Sequence, residues 1–149
     1  MEKIAIASDH GGFELKEFII SHLLSTDWDV DDLGPHSGHS VDYPDFGIKL
    51  AKAVSEKKVE RGIVICGTGI GMSIVVNRYP RIRGALCTDL FTAKLCREHN
   101  DSNILVMGGR VIGKGLATEI ERLAFCANLI QNESSSAFSK NLILVAISP

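Results

Sequence analysis

The chain lacks concentrated charge of one sign. Sixteen Lys and Arg stand against eighteen Asp and Glu, a formal net charge of −2, and no long basic run occurs. That excludes the dense positive charge needed to hold a nucleic-acid backbone or an anionic membrane surface. The one basic knot, Arg78, Arg81 and Arg83 around Pro80, reads either as a solvated turn or as an anion contact. No apolar run approaches the ~20 residues that span a bilayer. The N-terminus has no charged stretch followed by a long apolar one, so no secretory signal is expected. The four cysteines, Cys66, Cys87, Cys96 and Cys126, form no C-x-x-C pair and match no zinc spacing. Neither a disulfide framework nor a metal site is expected, and reduced thiols in a cytoplasmic protein are the simpler reading. No internal repeat or linker divides the chain.

What the sequence does have is a core. Apolar residues make up 45% of 149 positions, enough for one ordinary domain without staples. Ile4 to Ala7 run together without alternation, so Lys3–Ser8 reads as a buried strand. Gly11 and Gly12 end it. Phe13–Ser25 reads as a helix on the stripe Leu15, Ile19 and Leu23, with Lys16 and Glu17 off that stripe. Further strands are expected over Trp28–Leu33, Gly62–Ile65, Arg83–Cys87 and Asn103–Met107. Helices are expected after Pro44, over Met72–Asn77, after the N-cap candidate Asp89, and from Lys114 to about Ile130. Strand and helix therefore alternate five times. This pattern predicts an α/β fold, a three-layer Rossmann-like sandwich with a five-stranded parallel sheet. Ligands in such sheets bind beyond the carboxyl ends of the strands.

Three polar clusters follow predicted strands: Ser8-Asp9-His10-Gly11-Gly12, Cys66 to Ser73, and Gly108-Gly109-Arg110. A fourth, His99-Asn100-Asp101, ends a helix before the fifth strand. Gly67, Gly69 and Gly71 let the backbone approach a ligand and aim several N–H groups at one spot, which suits phosphate or a developing oxyanion. The same glycines also fit a plain strand-to-helix turn. No Lys follows, so the loop is not a Walker A motif, and it lacks the spacing and position of a dinucleotide fingerprint. Cys66 at the mouth of this loop is either a thiolate base or a buried structural thiol. Cys87, Cys96 and Cys126 read as structural. Asp9 and His10 offer acid/base groups or a polar turn, and His99 a protonatable imidazole or a simple helix end. Arg110 carries a donor fork for phosphate, and Tyr43 could cover the site or merely pack. His36 and His39 read as surface residues.

Taken together, the segments Ile6 to Phe13, Asp42-Tyr43-Pro44-Asp45, Ile65 to Ser73, His99-Asn100-Asp101 and Gly108 to Val111 resemble the type B ribose-5-phosphate isomerases, in the family that also holds galactose-6-phosphate isomerase subunits. The match runs to about residue 130, so a sugar-phosphate isomerase domain is expected over 1–130 and an atypical tail over 131–149. The resemblance implies a metal-free, cofactor-free aldose–ketose isomerase that interconverts ribose 5-phosphate and ribulose 5-phosphate in the pentose phosphate pathway. It implies an enediolate made by Cys66 as base. Met72 stands where some relatives carry a glutamate base. Backbone N–H groups of Gly67, Gly69, Ile70 and Gly71 would hold the enediolate oxygen, with Thr68 orienting it and Asp9 moving protons between sugar oxygens. His99 would open the furanose ring, His10 and Arg110 would hold phosphate, and Asn100 and Tyr43 would line the sugar. Members are dimers or tetramers with sites between subunits, so a homodimer or homotetramer is implied. Relatives carry two phosphate-clamping arginines where Glu133 and Ala137 stand here, which implies weakened phosphate binding. The alternatives are an isomerase of a six-carbon sugar phosphate, such as allose or galactose 6-phosphate, and a sugar-phosphate-binding protein with weakened catalysis.

Overall fold

In the computed structural model, residues 1–125 are described. Expectations about Cys126, Glu133, Ala137 and the tail over 131–149 lie outside them. The strands are β1 (Glu2–Ser8), β2 (Trp28–Asp32), β3 (Arg61–Cys66), β4 (Gly84–Leu86) and β5 (Ile104–Gly108). They alternate with α1 (Phe13–Leu24), α2 (Tyr43–Ser55), α3 (Ile70–Val76), α4 (Leu90–Glu98) and α5 (Lys114–Phe125). Among the described residues the sheet has five strands in the order β2-β1-β3-β5-β4, and every pairing is parallel. The expected three-layer sandwich is therefore present.

Side-chain alternation explains why the strands read as unbroken apolar runs. Ile4, Ile6, Ile63, Ile65, Leu105 and Met107 enter the layer made with α1, α4 and α5. Their neighbours Ala5, Ala7, Val64, Cys66, Ile104 and Val106 enter the layer made with α2 and α3. A strand covered on both faces has no solvent side to keep polar. Among the described residues, no helix is long and apolar enough to cross a membrane.

Two local expectations need correction. The fourth strand, expected over Arg83–Cys87, keeps only Gly84–Leu86. Side-chain amides take the donors at its start: Arg83 N–H bonds Asn103 Oδ1 at 2.8 Å and Gly84 N–H bonds Asn77 Oδ1 at 2.9 Å. Lys16, expected off the apolar stripe, is fully buried. Its ammonium donates to both Asp32 oxygens at 2.9 Å and to Glu17 Oε1 at 2.7 Å. A buried ammonium is tolerable only when paired in this way, and the partner comes from β2, which no helical period reveals.

The chain passes from β1 through α1 to β2 on one side, then from β2 through α2 to β3 on the other side of β1. The order reverses between β1 and β3, and the crevice at such a reversal, beyond the carboxyl ends of the strands, is the expected ligand site.

Candidate active site

β1, β3 and β5 are neighbours in the sheet and end level with one another, Ser8 beside Ile65 and Cys66 beside Gly108. Their three following loops are thus brought together, as the sequence predicts. Backbone bonds lock them: Asp9 N–H to Ile65 O at 3.1 Å, Gly109 N–H to Cys66 O at 2.8 Å, and Arg110 N–H to Gly67 O at 3.0 Å. Glycine makes this approach possible. A Cβ on Gly12 would lie 2.5 Å from Ile65 O, and one on Gly109 would lie 2.7 Å from Gly11 O. Neither backbone oxygen can swing away as a side chain could.

Cys66 ends β3 and is 5% exposed. The N–H of Gly69 points at its sulfur, at 3.1 Å. Gly69 itself adopts φ +84°, a left-handed turn that reverses the chain into α3 and that side chains rarely tolerate. Thr68 is exposed beside the sulfur's loop, and its Oγ1 accepts from Ile70 N–H at 3.3 Å. Ile70 is also exposed. Asp9 is buried, and its Oδ1 accepts the Gly12 N–H at 3.0 Å, holding the first loop in shape. A Cβ on Gly11 would touch both Gly67 N, at 3.1 Å, and Asp9 Oδ1, at 3.3 Å, so Asp9 lies against the glycine loop.

His10 is exposed, and its Nδ1 lies 3.2 Å from Val41 N and 3.1 Å from Val41 O. The ring nitrogen accepts that N–H or donates to that carbonyl according to its tautomer. Tyr43 opens α2, and a Cβ on Gly71 would lie 2.7 Å from its ring. The phenol therefore packs on the glycine loop. The Arg110 guanidinium reaches over Gly67, where a Cβ would lie 3.5 Å from Nη1.

One expected group is not brought together with these. His99 is the C-cap of α4, and His99 and Asn100 precede β5. They lie at the amino end of the sheet, whereas Cys66 lies at its carboxyl end. A five-residue strand separates the two edges by roughly 16 Å. Within one chain they do not meet Cys66.

The remaining candidates fall where sequence reading put them. Cys87 and Cys96 are buried free thiols. A hydrogen bond with Cys96, and then burial, push the Cys87 thiol up. His36 and His39 are exposed, His36 beside Asp32 at 3.4 Å and His39 on Ser37 Oγ at 2.9 Å. Met72 is fully buried, against Gly47 of α2. Sequence reading passed over the Val41 backbone as the anchor of His10, and a loop carbonyl leaves no mark in a sequence.

Comparison with known proteins follows the same geometry. Ribose-5-phosphate isomerase B of Escherichia coli strain K12 is 44% identical over 120 residues, covering 80% of each chain. D-erythrulose-4-phosphate isomerase of Pectobacterium atrosepticum is 40% identical over 121 residues, again 80% of each. The solved structure of Clostridium thermocellum ribose-5-phosphate isomerase B superposes with a TM-score of 0.89 at 44% identity, covering 97% of both chains. The family described as ribose/galactose isomerase matches residues 4–138. With its glycine-locked loops, its Cys66 loop and that match along most of its length, this chain belongs to the ribose/galactose isomerase family.

Proposed function

We propose that this chain interconverts ribose 5-phosphate and ribulose 5-phosphate, with Cys66 as the base. The observation that carries the reading is the placing of one cysteine where three loops meet at the reversal of the sheet, with an N–H aimed at its sulfur. As a thiolate, Cys66 takes the proton from C2 of the open-chain aldose. The C–H electrons form the C1–C2 double bond, and the carbonyl pair moves onto O1. The N–H groups of Gly67 to Gly71 face that oxygen, and such fixed donors favour developing charge. The Gly69 N–H is already engaged by sulfur and the Ile70 N–H by Thr68 Oγ1, which leaves those of Gly67, Thr68 and Gly71 for the oxyanion. Cys66 then returns the proton to C1. Asp9 and Thr68 relay the hydroxyl proton from O2 to O1, so the ketose leaves with all atoms accounted for. His10 and Arg110 hold the phosphate, and Tyr43 lines the sugar.

Ring opening falls to His99, with Asn100 beside the sugar, and both are supplied by a second copy of the chain. Their position at the opposite sheet edge supports a homodimer or homotetramer with shared sites. A cysteine pattern with no disulfide framework suits a cytoplasmic setting. No metal or cofactor has a part in this chemistry.

The test is a Cys66→Ala variant assayed for ribulose 5-phosphate formation, with folding checked by circular dichroism. Activity is expected to fall at least ~10²-fold, the usual contribution of a positioned base. Wild-type activity is expected to survive a chelator. A folded Cys66→Ala variant turning over near the wild-type rate would overturn the assignment.

A further inference from the structure

The amino end of the sheet, opposite the Cys66 crevice, holds a second concavity of about 420 Å³. That volume lies within the range of small-molecule pockets. Among the described residues its lining is strongly basic, with Lys57, Arg61, Arg81, Arg83 and Arg97 beside Glu60 and Asp101.

Carbonyl oxygens position all four arginines. Arg61 donates to Phe125 O at 2.7 Å, Arg81 to Ser55 O at 3.0 Å, Arg83 to Asp101 O at 2.8 Å and Arg97 to Ser102 O at 2.7 Å. A carbonyl fixes a guanidinium but leaves its charge in place. Asp101 must serve two of them, Arg83 at 2.9 Å and Arg97. Glu2, on Arg61 at 3.2 Å, adds a third carboxylate. Among the described residues, five cations still face three anions. Burial, and then the charges of Arg61 and Arg83, hold the Arg97 guanidinium below its usual range.

Helix-ending turns frame the concavity. Among the described residues, three that are not glycine have left-handed φ: Lys57 at 59°, Arg81 at 65° and Asp101 at 49°. All three line this concavity. Lys57 and Asp101 stand just past the ends of α2 and α4, where a left-handed residue commonly ends a helix, so these turns set the shape of the rim.

We propose that this concavity is a second ligand site, separate from the Cys66 crevice, and that it takes a compact phosphate polyanion. Guanidinium forks suit phosphate oxygens, and a polyanion would relieve the like-charge crowding. The probe is pyrophosphate, titrated calorimetrically into the full-length protein. Binding is expected in wild type, unchanged in Cys66→Ala and unchanged by saturating ribose 5-phosphate. Arg83→Gln is expected to weaken it at least about tenfold, the loss of one charge-assisted contact. Should Arg83→Gln fail to fold, the exposed Lys57→Gln variant carries the test, with a loss of at least about threefold expected. Absence of binding at millimolar pyrophosphate would overturn the proposal. So would displacement by ribose 5-phosphate, or affinity indifferent to both substitutions.

Discussion

Glu121 of α5 is 2% exposed, with Oε2 at 3.4 Å from His22 Nε2 and Oε1 lacking a partner among the described residues. Burial pushes its carboxyl from 4.5 up to about 7. The folded chain therefore binds this proton more tightly than the unfolded chain does. Stability from this group is fully present below pH 4.5 and is lost as pH rises through about 7. The shift corresponds to about 3 kcal/mol. Glu121→Gln keeps the shape and cannot ionise. It is expected to raise the melting temperature clearly at pH 8 and little at pH 5, which thermal unfolding at the two values would check. An equal gain at both would mean that packing, not ionisation, governs the site.

At the scale of elements, the tie between α1 and β2 is ionic. Lys16 has no exposed surface, and both its contacts to Asp32 measure 2.9 Å. Asp32 also accepts the Gly34 N–H at 2.9 Å, shaping the chain as it leaves β2. Asp32→Asn would leave the ammonium buried with Glu17 as its remaining carboxylate. A loss of about 3 kcal/mol is expected in denaturant unfolding, with little change in the slope of the transition. This tie also marks the limit of reading elements from sequence. The three inner strands, β1, β3 and β5, were legible because a strand buried on both faces must be apolar, as Ile4 to Ala7 and Ile63 to Ile65 are. The glycines of the loops were legible because close backbone contact admits nothing larger. Lys16 and the shortened β4 were not. Each depends on a partner distant in sequence, Asp32 for Lys16 and Asn103 or Asn77 for the start of β4.

For the whole molecule, residue types were legible and their grouping was only partly so. The loops after β1, β3 and β5 could be placed at one edge because parallel strands all end on the same side. His99 and Asn100 stand before a strand, and topology sends them to the other edge. In the proposed oligomer, each site pairs the Cys66 of one copy with the His99 of another. Two inactive variants should then restore one another. In a mixed dimer of Cys66→Ala and His99→Asn subunits, one site is intact and the other is doubly defective. Equal mixing after subunit exchange is expected to recover about a quarter of wild-type activity on ribose 5-phosphate, counting half the dimers as mixed and half their sites as whole. Activity no greater than that of the separate variants would place His99 outside the Cys66 site.

The separation of Cys66 and His99 along the sheet also bears on how the rate depends on the amount of protein. A catalyst complete in one chain works in proportion to its concentration, however dilute. One whose parts are carried at opposite ends of each chain needs an encounter before it can turn over. On serial dilution its specific activity would hold steady and then fall away, becoming second order in protein once association is lost. A synthesis rate that merely halves the chain's abundance near that threshold would cost more than half the flux.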